Sequence, residues 1–176
     1  MANGNKILEF DPIDFVPETT LAASGDNQIS SNNLARAISF PSKVDSAANA
    51  VGRLSDTASL GIGATVNLLI SDDPNNPMPG KFVVIGVNFA PLGVSANYYA
   101  PTTAALGTEV TATVLMPAVS GQTLPVSIAV PVADMNGLAA NAWAMLRVRR
   151  LGTNASDTGG PVGRVLLIGA AVIDHA

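Results

Sequence analysis

The chain has 176 residues, enough for one domain of ordinary size and too few for two. Hydrophobic residues make up 48 % and charged residues 12 %, about half the usual charge of a soluble domain, which excludes a disordered chain and points to a subunit that buries surface in an assembly. No apolar run reaches the ~18 to 20 residues of a spanning helix, and a net charge of −4 gives no general attraction to phosphate backbones, so neither a membrane nor nucleic acid is an expected partner.

Residues 1–33 read as an extended arm. Ile7, Leu8, Phe10, Ile13, Phe15 and Val16 are too apolar for a solvated tail, while Pro12 and Pro17 block a helix or a central strand through the segment. These six side chains are the candidate partner-binding residues, expected to cover an apolar groove on the same subunit or on a neighbour. Residues 24–33, SGDNQISSNN, read as a linker of turn formers. Acidic residues outnumber the single Lys6 over residues 1–26, so the classical signal-peptide pattern is not expected.

Residues 34–176 read as one all-β domain, because Gly, Pro and Asn divide the chain into short apolar runs. Strands are predicted near 35–40, 60–70, 81–90, 94–99, 108–116, 122–130, 143–151 and 162–173. Residues 45–54, DSAANAVGRL, are predicted as a short helix capped by Asp45 or Ser46 and limited by Gly52. In LRVRRLG, Leu146 and Val148 fall on one face and Arg147 and Arg149 on the other, the pattern of a sheet with one wet side. The even strand spacing without a fixed repeat points to a jelly-roll-like β-sandwich with an extended N-terminal arm.

The residues available for chemistry are few. Cys is absent, and the one His, His175, stands next to the C-terminus, where fraying argues against a general base. Asp72 and Asp73 lie in a Pro/Asn loop without the spacing of a calcium loop, and Asp157 in GTNASDTGG reads as a turn cap. Asp174 beside His175 lacks further metal ligands nearby in sequence. Glu109 is the one Glu outside the arm, which leaves no glycosidase-like Glu pair. Gly61 and Gly63 in LGIGAT match no phosphate loop and read as a bulge or close strand approach, and Asn154-Ala155-Ser156 is an isolated match to a glycosylation acceptor. Tyr98, Tyr99 and Trp143 are three aromatics, with Trp143 expected in a core or an interface. No catalytic residue, metal or organic cofactor is expected.

The segment from Trp143 to Ile173 combines an apolar strand carrying Arg147 and Arg150, an Asp157-Thr158 turn rich in Gly, and a long final strand. It resembles the closing hairpin of small jelly-roll proteins of tailed-bacteriophage virions, of the capsid decoration or cement type. The resemblance implies a non-enzymatic structural protein, assembled in the host cytoplasm and carried on the capsid surface. It also implies a homotrimer whose partners are the major capsid protein and further copies of itself. The alternative is a tail fibre, spike or adaptor module that binds a receptor or glycan, with Tyr98, Tyr99 or loop 71–80 at its site. A cupin-like metal enzyme is the third reading, and a single His argues against it.

Overall fold

Apolar side chains recur at every second position in Val83, Ile85, Val87 and Phe89, and again in Ala144, Leu146 and Val148, so one face of each segment must be covered. In the computed structural model, which describes residues 4–11, 14–17, 26–29, 36–93 and 106–175, these segments pair into two antiparallel sheets. The strands are β1 (Lys6–Phe10), β2 (Val16–Pro17), β3 (Asp26–Ile29), β4 (Arg36–Pro41), β5 (Asp45–Arg53) and β6 (Ala64–Asp72). They continue with β7 (Phe82–Pro91), β8 (Val110–Leu115), β9 (Leu124–Val130), β10 (Trp143–Leu151) and β11 (Arg164–Asp174). One sheet has the order β3-β4-β11-β6-β9, with β1 also paired to β11, and the other has the order β2-β5-β10-β7-β8. The chain is all-β, a jelly-roll β-sandwich. Its core lies between the sheets and is filled by Ile38, Phe40, Val66, Leu68, Ile70, Val165 and Leu167 from one and by Ile85, Val87, Phe89, Leu146 and Val148 from the other.

Segment 45–54 is a strand and not a helix. Ala47, Ala48 and Ala50 have no exposed surface, and β5 pairs with β10 over its whole length, from Trp143 opposite Arg53 to Leu151 opposite Asp45. Alanine favours helix only weakly, and two-sided burial in a sheet outweighs that preference. Gly52 has a packing role here, because a Cβ at that position would stand 2.7 Å from Leu8 Cδ2 and 3.0 Å from Phe10 Cε1.

The arm also differs from expectation. β1 and β3 belong to one sheet and β2 to the other, so the described parts of residues 1–33 contribute strands to the same sandwich as the residues after them. Ile7, Leu8, Phe10 and Phe15 are buried in the chain's own core, with the Phe10 and Phe15 rings edge to face at 5.8 Å. The partner groove proposed for them is supplied within the same chain, by the end of β11 and by Gly52 of β5. Val16 is half-buried opposite Asn49, and Ile13 lies outside the described residues. Part of the expected linker is β3, paired with β4 through Asp26 opposite Ser39. The strand predicted at 94–99 lies outside the described residues. The other predicted strands match β4, β6, β7, β8, β9, β10 and β11, with ends moved by a few residues.

Candidate functional site

The acids singled out in the sequence are held by backbone amides, by the Asn76 side chain and by two arginines, Arg149 and Arg150. Asp72, at the end of β6, accepts from the Met78 amide at 2.7 Å and the Gly121 amide at 2.6 Å, which fixes two loops to one buried carboxylate. Asp73 accepts from the Asn75 amide and from Asn76 Nδ2. Asp174 is fully buried and accepts from the Asn5 and Ser59 amides at 2.7 and 2.9 Å. The chain end is therefore pinned rather than frayed: the His175 amide donates to the Gly63 carbonyl, and His175 Nε2 lies 2.6 Å from Thr65 Oγ1. Among the described residues, no group of three or more His, Asp or Glu is placed to hold a metal ion.

Arg150 is the largest fully buried side chain and does not sit on a wet face. It projects from β10 into the space between the sheets. Its Nε and Nη2 donate to both oxygens of Asp157 at 2.9 and 2.8 Å, and its Nη1 donates to the carbonyls of Phe40 at 3.1 Å and Gly163 at 2.9 Å. One guanidinium thus ties the second sheet to β4 and to the entry of β11. Thr158, the next residue of the turn, accepts from the Phe82 amide through Oγ1 at 2.9 Å and donates its own amide to the Phe82 carbonyl. The Arg and Asp-Thr elements of the closing hairpin form a latch, with fork-to-fork geometry that only arginine can supply.

The outer face of the second sheet carries a polar row that sequence reasoning missed. Asn49 of β5, Arg147 of β10 and Asn88 of β7 stand directly opposite one another, and they are 1 %, 8 % and 4 % exposed. Met145, Ala47, Val84 and Ala90 on the same face are buried as well. This face is closed at its centre, where alternation alone implies solvent. Part of the cover is the segment before β8: Gly107 donates its amide to the Phe89 carbonyl, accepts from Asn88 Nδ2, and leads to Glu109 over Gly86. Arg149 sits between Asp45 at 2.6 Å and Glu109 at 3.2 Å. Burial alone raises the Asp45 carboxyl, but hydrogen bonds from the Thr153 amide and hydroxyl, together with the Arg149 charge, outweigh it and hold the group below the ordinary carboxylate range.

Among the described residues, large apolar groups are exposed at strand ends, in loops, on the edge strand β8 and at Leu69 in the middle of β6. Trp143 is 54 % exposed at the start of β10, which excludes the core half of the expectation and not the interface half. Ile62 and Val132 are exposed at one end of the sandwich, on either side of Gly63, whose φ of 106° and approach to the Val130 carbonyl leave no room for a Cβ. Phe82 and Leu115 form an exposed cross-strand pair between β7 and β8. On the other sheet, the register of β11 shifts at Gly169, beside a cleft of about 300 Å³ bordered by the carboxylates of Glu9 and Asp11 and by Asn67 and Leu69. Tyr98 and Tyr99 lie outside the described residues.

No protein-family model matches the chain, and no curated protein matches it. Solved structures do share its fold. The xylan-binding module CBM15 superposes with a TM-score of 0.52 at 12 % identity, covering 98 % of this chain and 100 % of that one. The family 11 carbohydrate-binding module from Clostridium thermocellum, in complex with a mixed-linked tetrasaccharide, gives a TM-score of 0.50 at 14 % identity, covering 99 % and 98 %. At these identities the likeness establishes the jelly-roll sandwich alone.

Proposed function

We propose that this chain is a non-enzymatic structural module of a tailed-bacteriophage virion, a decoration or cement subunit that binds the major capsid shell. The observation that carries this reading is the inward use of its acids. Asp45, Asp72, Asp73, Asp157 and Asp174 all accept hydrogen bonds from the protein's own amides or arginines, which leaves them as structural ties rather than reactive groups. The exposed apolar positions Ile62, Val132, Phe82, Leu115 and Trp143 offer uncharged surface to a partner. The hairpin resemblance supports the virion assignment, and the buried Arg150 and Asp157 give that hairpin a physical reason to recur in small sandwiches.

With β1 and Phe15 buried in cis, shell binding falls to exposed apolar groups, among them Ile62 and Val132, 67 % and 50 % exposed near Gly63. Cosedimentation with shells lacking the subunit tests this. The wild-type chain is expected to pellet with shells, while Ile62→Asp with Val132→Asp stays in the supernatant at unchanged melting temperature. Failure of the wild-type chain to bind any shell would end this reading. A second reading, a tail fibre or adaptor module for a receptor or glycan, is favoured by the exposed indole of Trp143. Glycan binding abolished by Trp143→Ala would select it.

A further inference from the structure

Edge strands expose unpaired amides and carbonyls, and monomeric sandwiches protect them with charge, proline, bulges or brevity. β8 ends the second sheet and has none of these devices. Its sequence, VTATVL, is uncharged, runs for six residues, and pairs with β7 without a register shift. The hydrogen-bond phase of that pairing is fixed at one end, where the Met116 amide donates to the Lys81 carbonyl at 2.9 Å. Antiparallel ladders alternate, so Val110, Ala112 and Val114 direct their backbone groups to β7. Thr111, Thr113 and Leu115 direct theirs to the side away from β7, on which no strand pairs among the described residues.

We propose that β8 pairs with β8 of a second copy of this chain about a twofold axis at Thr113. Antiparallel pairing centred there sets Thr113 opposite Thr113, and Thr111 opposite Leu115, twice. Every residue so matched is one whose amide and carbonyl face outward, so each pair can exchange two hydrogen bonds. The same register keeps Thr111, Thr113 and Leu115 of both copies on one face, so the two five-stranded sheets continue as one. A strand slipped by one residue would oppose outward-facing to inward-facing groups. The occupant is argued from this self-complementarity and from the lack of charge on the edge. It also shields an apolar pair left half-open in the single chain, Phe82 at 44 % and Leu115 at 53 % exposure. The interface is isologous and closes at two copies, which separates it from the trimer implied by the hairpin resemblance.

Sedimentation of the full chain across micromolar concentrations tests the pairing. The wild type is expected as a dimer. Thr113→Lys and Thr113→Glu each place like charges face to face at the axis and are expected to weaken association by at least about tenfold. Mixing the two variants is expected to restore the dimer, because Lys then faces Glu; both side chains lie in solvent, so the melting temperature of each variant is expected to stay near that of the wild type. A monomeric wild type would overturn the proposal, as would a dimer or trimer indifferent to both variants. A monomer that loses shell binding on Thr113→Lys would also overturn it and assign the edge to a strand of the capsid instead.

Discussion

Replacing Asp157 by Ala should unfold this protein more readily than any other single change on its surface loops. The substitution leaves the Arg150 guanidinium without its bidentate partner at a site where the two side chains are 0 % and 2 % exposed. Water cannot replace the carboxylate there, and the remaining bonds to the Phe40 and Gly163 carbonyls neutralise no charge. Breaking a buried ion pair by removing one partner costs about 3 to 5 kcal/mol. For a domain of this size each kcal/mol moves the melting temperature by about 2 to 4 °C, so a fall of roughly 6 to 20 °C is expected. The Gly159 amide, which also donates to Asp157, loses its acceptor and adds to the cost. Thermal unfolding followed by circular dichroism measures this, at low and high salt. Because the pair is dry, the loss should be nearly independent of ionic strength. The double variant Arg150→Met with Asp157→Leu should lose less than the sum of the single variants, since neither charge is then stranded. A loss below about 1 kcal/mol for Asp157→Ala, or strict additivity in the double variant, would refute the latch.

Three further outcomes follow from the packing. Deleting residues 1–17 should abolish cooperative unfolding, and Phe10→Ala alone should cost about 3 to 5 kcal/mol in urea titrations, because this segment is core and not a detachable arm. Gly63→Ala should cost about 1 to 3 kcal/mol by the same titration, from a positive φ and a Cβ forced to 2.4 Å from the Val130 carbonyl oxygen. Asp45 is held below its ordinary value in the folded state, so its contribution is present above the unfolded carboxylate range near pH ~4 and fades as pH falls through the folded value. Asp45→Asn should therefore be about 1 kcal/mol less stable than wild type at pH ~7, with the gap closing in acid; a gap that widens in acid would contradict the sign.

The strands were legible wherever one face alternates strictly. Val110, Ala112 and Val114, or Leu146 and Val148, sit half or fully buried as their period demands. β5 was not legible, because Ala, Ser and Asn carry little strand preference, and Gly52 near its end, which reads as a helix limit, instead makes room for Leu8 and Phe10 of β1. The arm was misread for a related reason. Pro17 is itself the last residue of β2, opposite Ala48, and short pieces near sandwich corners can join different sheets, as β1 and β2 do.

The candidate site was less legible than the fold. Alternation assigns Arg147 to the outer face correctly and says nothing about whether another segment covers that face. Arg150 shares its parity with the core residue Val148, which was the available signal that it points inward, and Asp157 seven residues later was the acid to match it with. The position of β8 at a sheet edge depends on strand order, which no local pattern encodes.

As proposed, this chain decorates a phage capsid as a structural subunit. Cryo-electron microscopy of virions produced from a genome encoding it tests that claim most directly. Density fitting the two-sheet sandwich on the outer surface of the shell, lost when its gene is deleted, is the expected result. Virions that lack the chain, or that carry it only in the tail, would contradict it.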